Sequence, residues 1–307
     1  MTDNVHTLGW IGAGRMGAAM ATRLIAAGND VTVQNRTRSK AEALGAKVAD
    51  TPADLGDRDI VFIMVSANDD LLEVTTGPHG ILSNPDHAPK VLIDCSTVST
   101  ETSAHVRAAA AARGTQFLAA PVSGNPKVVK TGGLTMAVSG TEEAFTTVEP
   151  YMNQICKGVT YVGSDEVARL VKICHNMMLG IVAQAMAEIT VLAEKGGVKR
   201  SAWLNFLNDS VMGSRFTRYK TPAYVNLDFT PTFTPVLLRK DFDLGMHAAY
   251  EHDVPMPLAA LCTELVKISA GAGHAQEDFA VLLLEAARGA GLEMVAENIA
   301  IDDGLGG

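Results

Sequence analysis

Cysteine is scarce in this sequence: Cys95, Cys156, Cys174 and Cys262 stand far apart, without CxxC spacing or a neighbouring histidine in metal-like register. A disulfide framework and a zinc site are both disfavoured, no metal is expected, and a reducing compartment, the cytoplasm, is the expected location. Basic residues are also short, 25 against 34 acidic ones, for a net charge of −9, and no Lys/Arg run stands out. That balance argues against a nucleic-acid or anionic-membrane partner. The apolar stretches are broken by charges, glycine or polar groups before membrane-spanning length, so no membrane span is expected. The opening MTDNVHTLGW has neither a basic n-region nor an apolar h-region, so no signal peptide is expected there. An acidic chain that takes an anionic ligand must gather its positive charge locally, which makes single Lys and Arg residues informative.

What is present is an ordinary globular composition, 47% apolar and 19% charged. At 307 residues and roughly 100–200 residues per domain, two domains are expected. The first half alternates short apolar strands (Thr7–Ile11, Val31–Asn35, Ile60–Val65, Lys90–Cys95, Phe117–Ala120, Leu134–Val138, Val159–Val162) with helical stretches, among them Thr100–Arg113 and Glu142–Cys156. Buried strands interleaved with helices predict a doubly wound, mostly parallel α/β sheet over residues 1–164. After Gly163 the strand signals stop. Asp165 to about Lys195 keeps one helical period without a proline, which predicts a long interdomain helix. Shorter helices punctuated by prolines follow, giving an all-helical domain over 165–295 and a loose tail over 296–307.

Gly12-Ala13-Gly14-Arg15-Met16-Gly17 follows the first strand and opens the first helix. In that setting the three glycines serve a tight turn, backbone approach to a pyrophosphate and close helix–strand packing. The helix N-terminus offers unpaired N–H groups to phosphates. At the end of the second strand, where NAD sites place a carboxylate, the chain has Asn35-Arg36-Thr37. Arg36 is placed to pair with a 2′-phosphate, and Thr37 can add a hydrogen bond, so NADP is the expected cofactor, with NAD the less favoured option. Ser66 and Thr97 stand at two further strand ends, where ligands bind in open α/β sheets: the first borders adenosine or simply turns the chain, and the second stands near nicotinamide, caps the helix beginning near Thr100, or does both. Ser123, Gly124 and Asn125 form a turn with exposed N–H groups and a hydroxyl, which suits a carboxylate and equally suits an ordinary turn. Lys172 and Asn176 share one face of the long helix. Such a lysine is either a buried acid/base or one that extends its ammonium past a domain edge. Lys240-Asp241 is either an exposed ion pair or a lysine that reaches the cofactor.

In order, the strings IGAGRMGAAM, DCSTVS, APVSGN, KICHN and LLRKDFDLG resemble the β-hydroxyacid dehydrogenase family, which includes 3-hydroxyisobutyrate dehydrogenases and glyoxylate/succinic semialdehyde reductases. The resemblance covers nearly the whole chain. It implies a Rossmann domain, a helical domain of the 6-phosphogluconate dehydrogenase type, and an active site between them. It implies Lys172 as catalytic acid/base, Ser123, Gly124 and Asn176 as substrate contacts, and Thr97 and Lys240 as cofactor contacts. The substrate would be a small hydroxy acid or its aldehyde partner, and a homo-oligomer, dimer or tetramer, is expected. The departures cluster around the substrate: Asn125-Pro126 for a second glycine, Thr100 for a proline, Gly163-Ser164-Asp165-Glu166 without further glycines, and His175 where asparagine is frequent. The alternatives are an imine reductase of related architecture, which tends to lack this lysine, and a cofactor-dependent binding module without turnover.

Overall fold

The computed structural model describes residues 6–304. The chain divides into two compact units, Met1–Lys172 and Ile173–Gly307. The first contains β1 (Leu8–Ile11), α1 (Arg15–Ala26), β2 (Val31–Gln34), α2 (Arg38–Glu42), β3 (Lys47–Val48), β4 (Ile60–Ile63), α3 (Asn68–Thr76), β5 (Val91–Asp94) and α4 (Thr100–Ala112). It continues with β6 (Gln116–Ala119), β7 (Val122–Ser123), α5 (Pro126–Lys130), β8 (Thr135–Ser139), α6 (Glu142–Ile155) and β9 (Gly158–Gly163). Helix α7 (Val167–Lys195) starts in this unit and runs on into the second. The second unit adds α8 (Arg200–Asp209), α9 (Arg215–Asn226), α10 (Pro235–Glu251), α11 (Pro257–Ser269) and α12 (Leu282–Gly289).

The sheet runs β3-β2-β1-β4-β5-β6-β8-β7, with β9 on β8. The pairings from β3 to β6 are all parallel; β8 then runs antiparallel to β6 and β7 and parallel to β9. The fold is therefore a doubly wound, mostly parallel Rossmann sheet followed by helices alone. Central strands of such a sheet are covered on both faces, which is why β1, β4 and β5 are almost wholly apolar and fully buried. Alternate residues serve opposite faces. Trp10, Phe62 and Ile93 enter one core, with the Trp10 and Phe62 rings stacked at 5.5 Å. Ile11, Val61, Ile63 and Leu92 enter the other. The chain order reverses between β1 and β4, so the loops leaving those strands flank the crevice where doubly wound sheets take ligands.

The second unit packs α7, α10 and α11 around Ile173, Met177, Leu238, Phe242, Cys262 and Val266. Gly245 lets α10 close on α7, since a β-carbon there would lie 2.0 Å from the Met177 sulfur. Two features of this unit depart from the sequence expectation. Pro222, taken as punctuation, lies inside α9. The lost rung is offset by a Ser214/Thr217 capping box and by burial of Thr221, Ala223, Tyr224 and Val225. Residues 292–304 carry no helix or strand but are tied down: Glu297 N–H donates to Val225 O at 3.1 Å, and Asn226 exchanges two hydrogen bonds with Ile299. Helix α7 is also long and apolar enough to cross a membrane by length and composition, contrary to the expectation of no such segment; half of its most apolar window is buried inside the protein.

Candidate active site

The glycine turn is built as a cradle, and each of its glycines answers to a different constraint. Gly12 has φ +98°, and a β-carbon on it would sit 2.2 Å from Met64 O. A β-carbon on Gly17 would fall 2.0 Å from Gly12 O. Gly14 has nothing within 4 Å of the place its β-carbon would take. Turn and packing thus account for the first and third glycines, whereas the second keeps space clear at the N-cap of α1. No side chain caps that helix and its first turn holds no acid, so its N–H groups and positive end suit a pyrophosphate. Arg15 is exposed at the first helical position, while Met16 packs partly against the core. Ala13 is buried, and its N–H already donates to Asn35 Oδ1 at 2.8 Å. The residues present fit a dinucleotide.

At the end of β2, Asn35 is a clasp: its amide also donates to Thr37 O at 2.9 Å. Arg36 is 91% exposed and pairs with Asp70 of α3 at 3.4 Å. Such an open pair is worth little and yields to a stronger anion. Thr37 is exposed beside it, and Ser66 stands exposed at the exit of β4.

The exit of β5 is much more tightly held. Asp94 is fully buried; its Oδ1 accepts Ser96 N–H at 3.0 Å, and Ser96 Oγ accepts Val65 N–H at 2.9 Å. Thr97 follows, half-buried. Burial pushes the neighbouring Cys95 thiol well above its ordinary range, which leaves no thiolate here. Arg169, on the first turns of α7, is also buried, and its guanidinium donates to Asp94 Oδ2, to Ser96 O at 2.6 Å and to Ser103 Oγ of α4 at 3.1 Å. The start of α7 is held further by Ala168 N–H to Ser139 Oγ at 3.1 Å, and by Arg107, which donates to Glu166 Oε1 and Phe117 O, each at 2.6 Å. These ties stand where the sequence lacks the usual glycines. Lys172 lies three residues beyond Arg169, half-buried, between the exposed Val171 and the buried Ile173. Lys172 is thus less enclosed than the apolar sequence pattern suggests.

At the β7–α5 turn, Gly124 adopts φ +142°, and Ser123 is half-buried. Asn125 is the N-cap of α5: its Oδ1 accepts Val128 N–H at 3.0 Å, and Pro126 takes the first helical position. The departure from a second glycine is thus a helix start, which commits one side of Asn125 to the backbone.

In the second unit Asn176 is buried and held at both ends. Its amide donates to Asp241 Oδ2 at 2.6 Å, and its Oδ1 lies 2.9 Å from Nδ1 of the exposed His175. Asp241 is itself buried, with Lys240 half-buried beside it, so an exposed Lys240–Asp241 pair is not what the chain forms. Motif reasoning found neither the buried Arg169 nor the hydrogen bond of Asn176 to Asp241. A charged residue in the middle of an apolar helical stretch was the available signal.

A family model for the NAD binding domain of 6-phosphogluconate dehydrogenase matches residues 7–163. A second, for the NAD-binding region of NADP-dependent 3-hydroxyisobutyrate dehydrogenase, matches residues 167–286. Glyoxylate/succinic semialdehyde reductase 1 of Arabidopsis thaliana is 31% identical over 90% of this chain and 96% of its own. The 3-hydroxyisobutyrate dehydrogenase of Pseudomonas aeruginosa is 30% identical over 91% and 94%. The solved 3-hydroxyisobutyrate dehydrogenase of Mycobacterium tuberculosis superposes with a TM-score of 0.80 at 26% identity, over 92% of this chain and 99% of that one. A solved imine reductase from Myxococcus stipitatus is more distant, at a TM-score of 0.58 and 21% identity over 90% and 98%. Sheet order, glycine turn and matches together define an NAD(P)-binding oxidoreductase. The chain belongs to the β-hydroxyacid dehydrogenase family.

Proposed function

We propose that this protein interconverts a short β-hydroxy acid and its semialdehyde or keto partner, with NADP(H) preferred over NAD(H) and Lys172 as general acid/base. The nicotinamide, when bound, supplies the hydride chemistry. The chain's own part is to hold the dinucleotide on the Gly12–Gly17 turn, with Asn35, Arg36, Thr37, Ser66, Thr97 and Lys240 as further contacts. It also receives the substrate carboxylate at Ser123, Gly124 and Asn125. Lys172 Nζ takes the hydroxyl proton on oxidation and returns it on reduction, and Asn176 orients the reacting group. The observation that supports this reading is that Lys172 follows, by three residues, the Arg169 that pins α7 to the exit of β5. A panel of three- to five-carbon hydroxy acids and semialdehydes, assayed with NADPH and NADH, tests it; failure to turn over any of them with either cofactor would refute it.

The cofactor preference rests on Arg36 and on the missing carboxylate at the end of β2. Arg36→Asp is expected to lower kcat/KM for NADPH at least about tenfold, the equivalent of about 1.4 kcal/mol, and to favour NADH. A wild-type enzyme with higher kcat/KM for NADH would exclude the assignment. For the carboxylate, Ser123→Ala is expected to raise substrate KM several-fold while NADPH affinity holds; an unchanged KM with weakened NADPH would move Ser123 to the cofactor. A homo-oligomer, dimer or tetramer, belongs to the same proposal. It is supported by exposed apolar residues on the helical unit, Ile189 and Leu192 on α7 and Leu258, Leu261 and Ile268 on α11. So does a cytoplasmic location, supported by four cysteines that are all free.

A further inference from the structure

We propose that Arg169 is a positioning residue for catalysis: by clamping the first turns of α7 to the exit of β5, it sets where Lys172 stands. The inference rests on the reading of Lys172 as acid/base. The guanidinium uses three faces at once, towards Asp94 Oδ2, Ser96 O and Ser103 Oγ. Only a planar, forked donor does this; an ammonium or an amide reaches one or two of these acceptors. Through Asp94 Oδ1 to Ser96 N–H, and through Ser96 Oγ to Val65 N–H, the same clamp extends to the exit of β4. One side chain therefore indexes α7 against two strand ends and the start of α4.

Stability alone does not account for the arrangement. Buried ion pairs lose in desolvation much of what they gain, and apolar residues of similar volume often replace them without penalty. What apolar packing does not fix is the rotation and rise of a helix. Lys172 follows Arg169 by three residues, on the same flank and about 4.5 Å further along the axis. A small slip of the clamp passes directly into the height of the ammonium, and misplacement of a catalytic group by about 1 Å costs up to about 10²-fold in rate. Arg169 touches the strand exits and not the reacting atoms, so its effect falls on the chemical step rather than on binding.

The test uses two variants of the full-length protein. Arg169→Gln combined with Asp94→Asn removes the charges together while leaving an acceptor for Ser96 N–H; Arg169→Lys keeps the charge and loses the fork. For each, kcat, substrate KM, the NADPH dissociation constant by fluorescence and the thermal unfolding midpoint are measured. The expected result is a kcat about 10- to 100-fold down, with KM and NADPH affinity within about threefold of wild type in a folded protein. If the double variant does not fold, Arg169→Lys decides by the same criteria. A folded variant whose kcat stays within about threefold of wild type, or whose loss lies wholly in KM or NADPH affinity, overturns the proposal. Lys172→Ala, assayed alongside, separates the two ideas. If it abolishes turnover while the Arg169 variants run normally, only the positioning role fails; if it leaves kcat intact, the reading of Lys172 fails and carries this one with it.

Discussion

Lys172→Ala is expected to lose about 10²–10⁴ in kcat while the protein stays folded and binds NADPH, because removing a placed acid/base costs that much. The lysine is half-buried at the start of α7, where Arg107, Arg169 and Ser139 tie the helix to the sheet. Truncation therefore removes chemistry and leaves the frame. Lys172→Arg is expected to fail nearly as badly, since a guanidinium does not give up its proton in the useful pH range. Asn176→Ala should be milder for the chemical step, as it orients rather than transfers, although it strips the buried Asp241 of a partner. The deciding quantity is kcat for folded Lys172→Ala at saturating NADPH with the best substrate found. Activity within a few-fold of wild type removes Lys172 from the mechanism and makes the adjacent His175 the next candidate.

The second large effect separates glycines that the motif treats alike. Gly17→Ala places a β-carbon 2.0 Å from Gly12 O, in backbone that has nowhere to go. We expect a loss of at least about 3 kcal/mol of stability, at the upper end of overpacking costs. Gly14→Ala meets nothing within 4 Å, at an ordinary φ of −70°. Stability should hold, yet the added methyl stands where a pyrophosphate must approach the backbone, so NADPH affinity should fall about tenfold or more, roughly 1.4 kcal/mol. Thermal unfolding and NADPH titration of the two variants check this directly. A Gly14→Ala protein that binds NADPH as wild type does would detach the turn from the pyrophosphate.

Much of the frame is legible in the sequence because burial on both faces leaves so few choices. Ile60–Ile63 and Val91–Asp94 are short apolar runs that fit only central strands of a covered sheet. The glycine turn is legible for the related reason that its spacing has meaning only between a strand and a helix. Short helices were lost. In α3 two first-turn acids, and in α5 the Asn125 cap, do the work of an apolar stripe; α2 is five residues long, with Ala41 buried, and α9 hides behind Pro222. Around the site, what escapes notice is the support. Arg169 finds its partners 66 to 75 residues back along the chain, a pairing that no local period encodes. Asn125 shows the opposite fault: a turn that suits a carboxylate also starts a helix, and the local pattern does not separate the two uses.

Asn35 has a consequence for anyone who would retarget the cofactor. Its carbonyl holds the Ala13 N–H and its amide holds Thr37 O, so the position that looks like part of the ribose reader is also the latch of the phosphate turn. Libraries that randomise residues 35–37 together will return many clones with weak affinity for both dinucleotides and no change of preference. Selectivity and grip come apart only when position 35 stays fixed and the charge is exchanged at position 36.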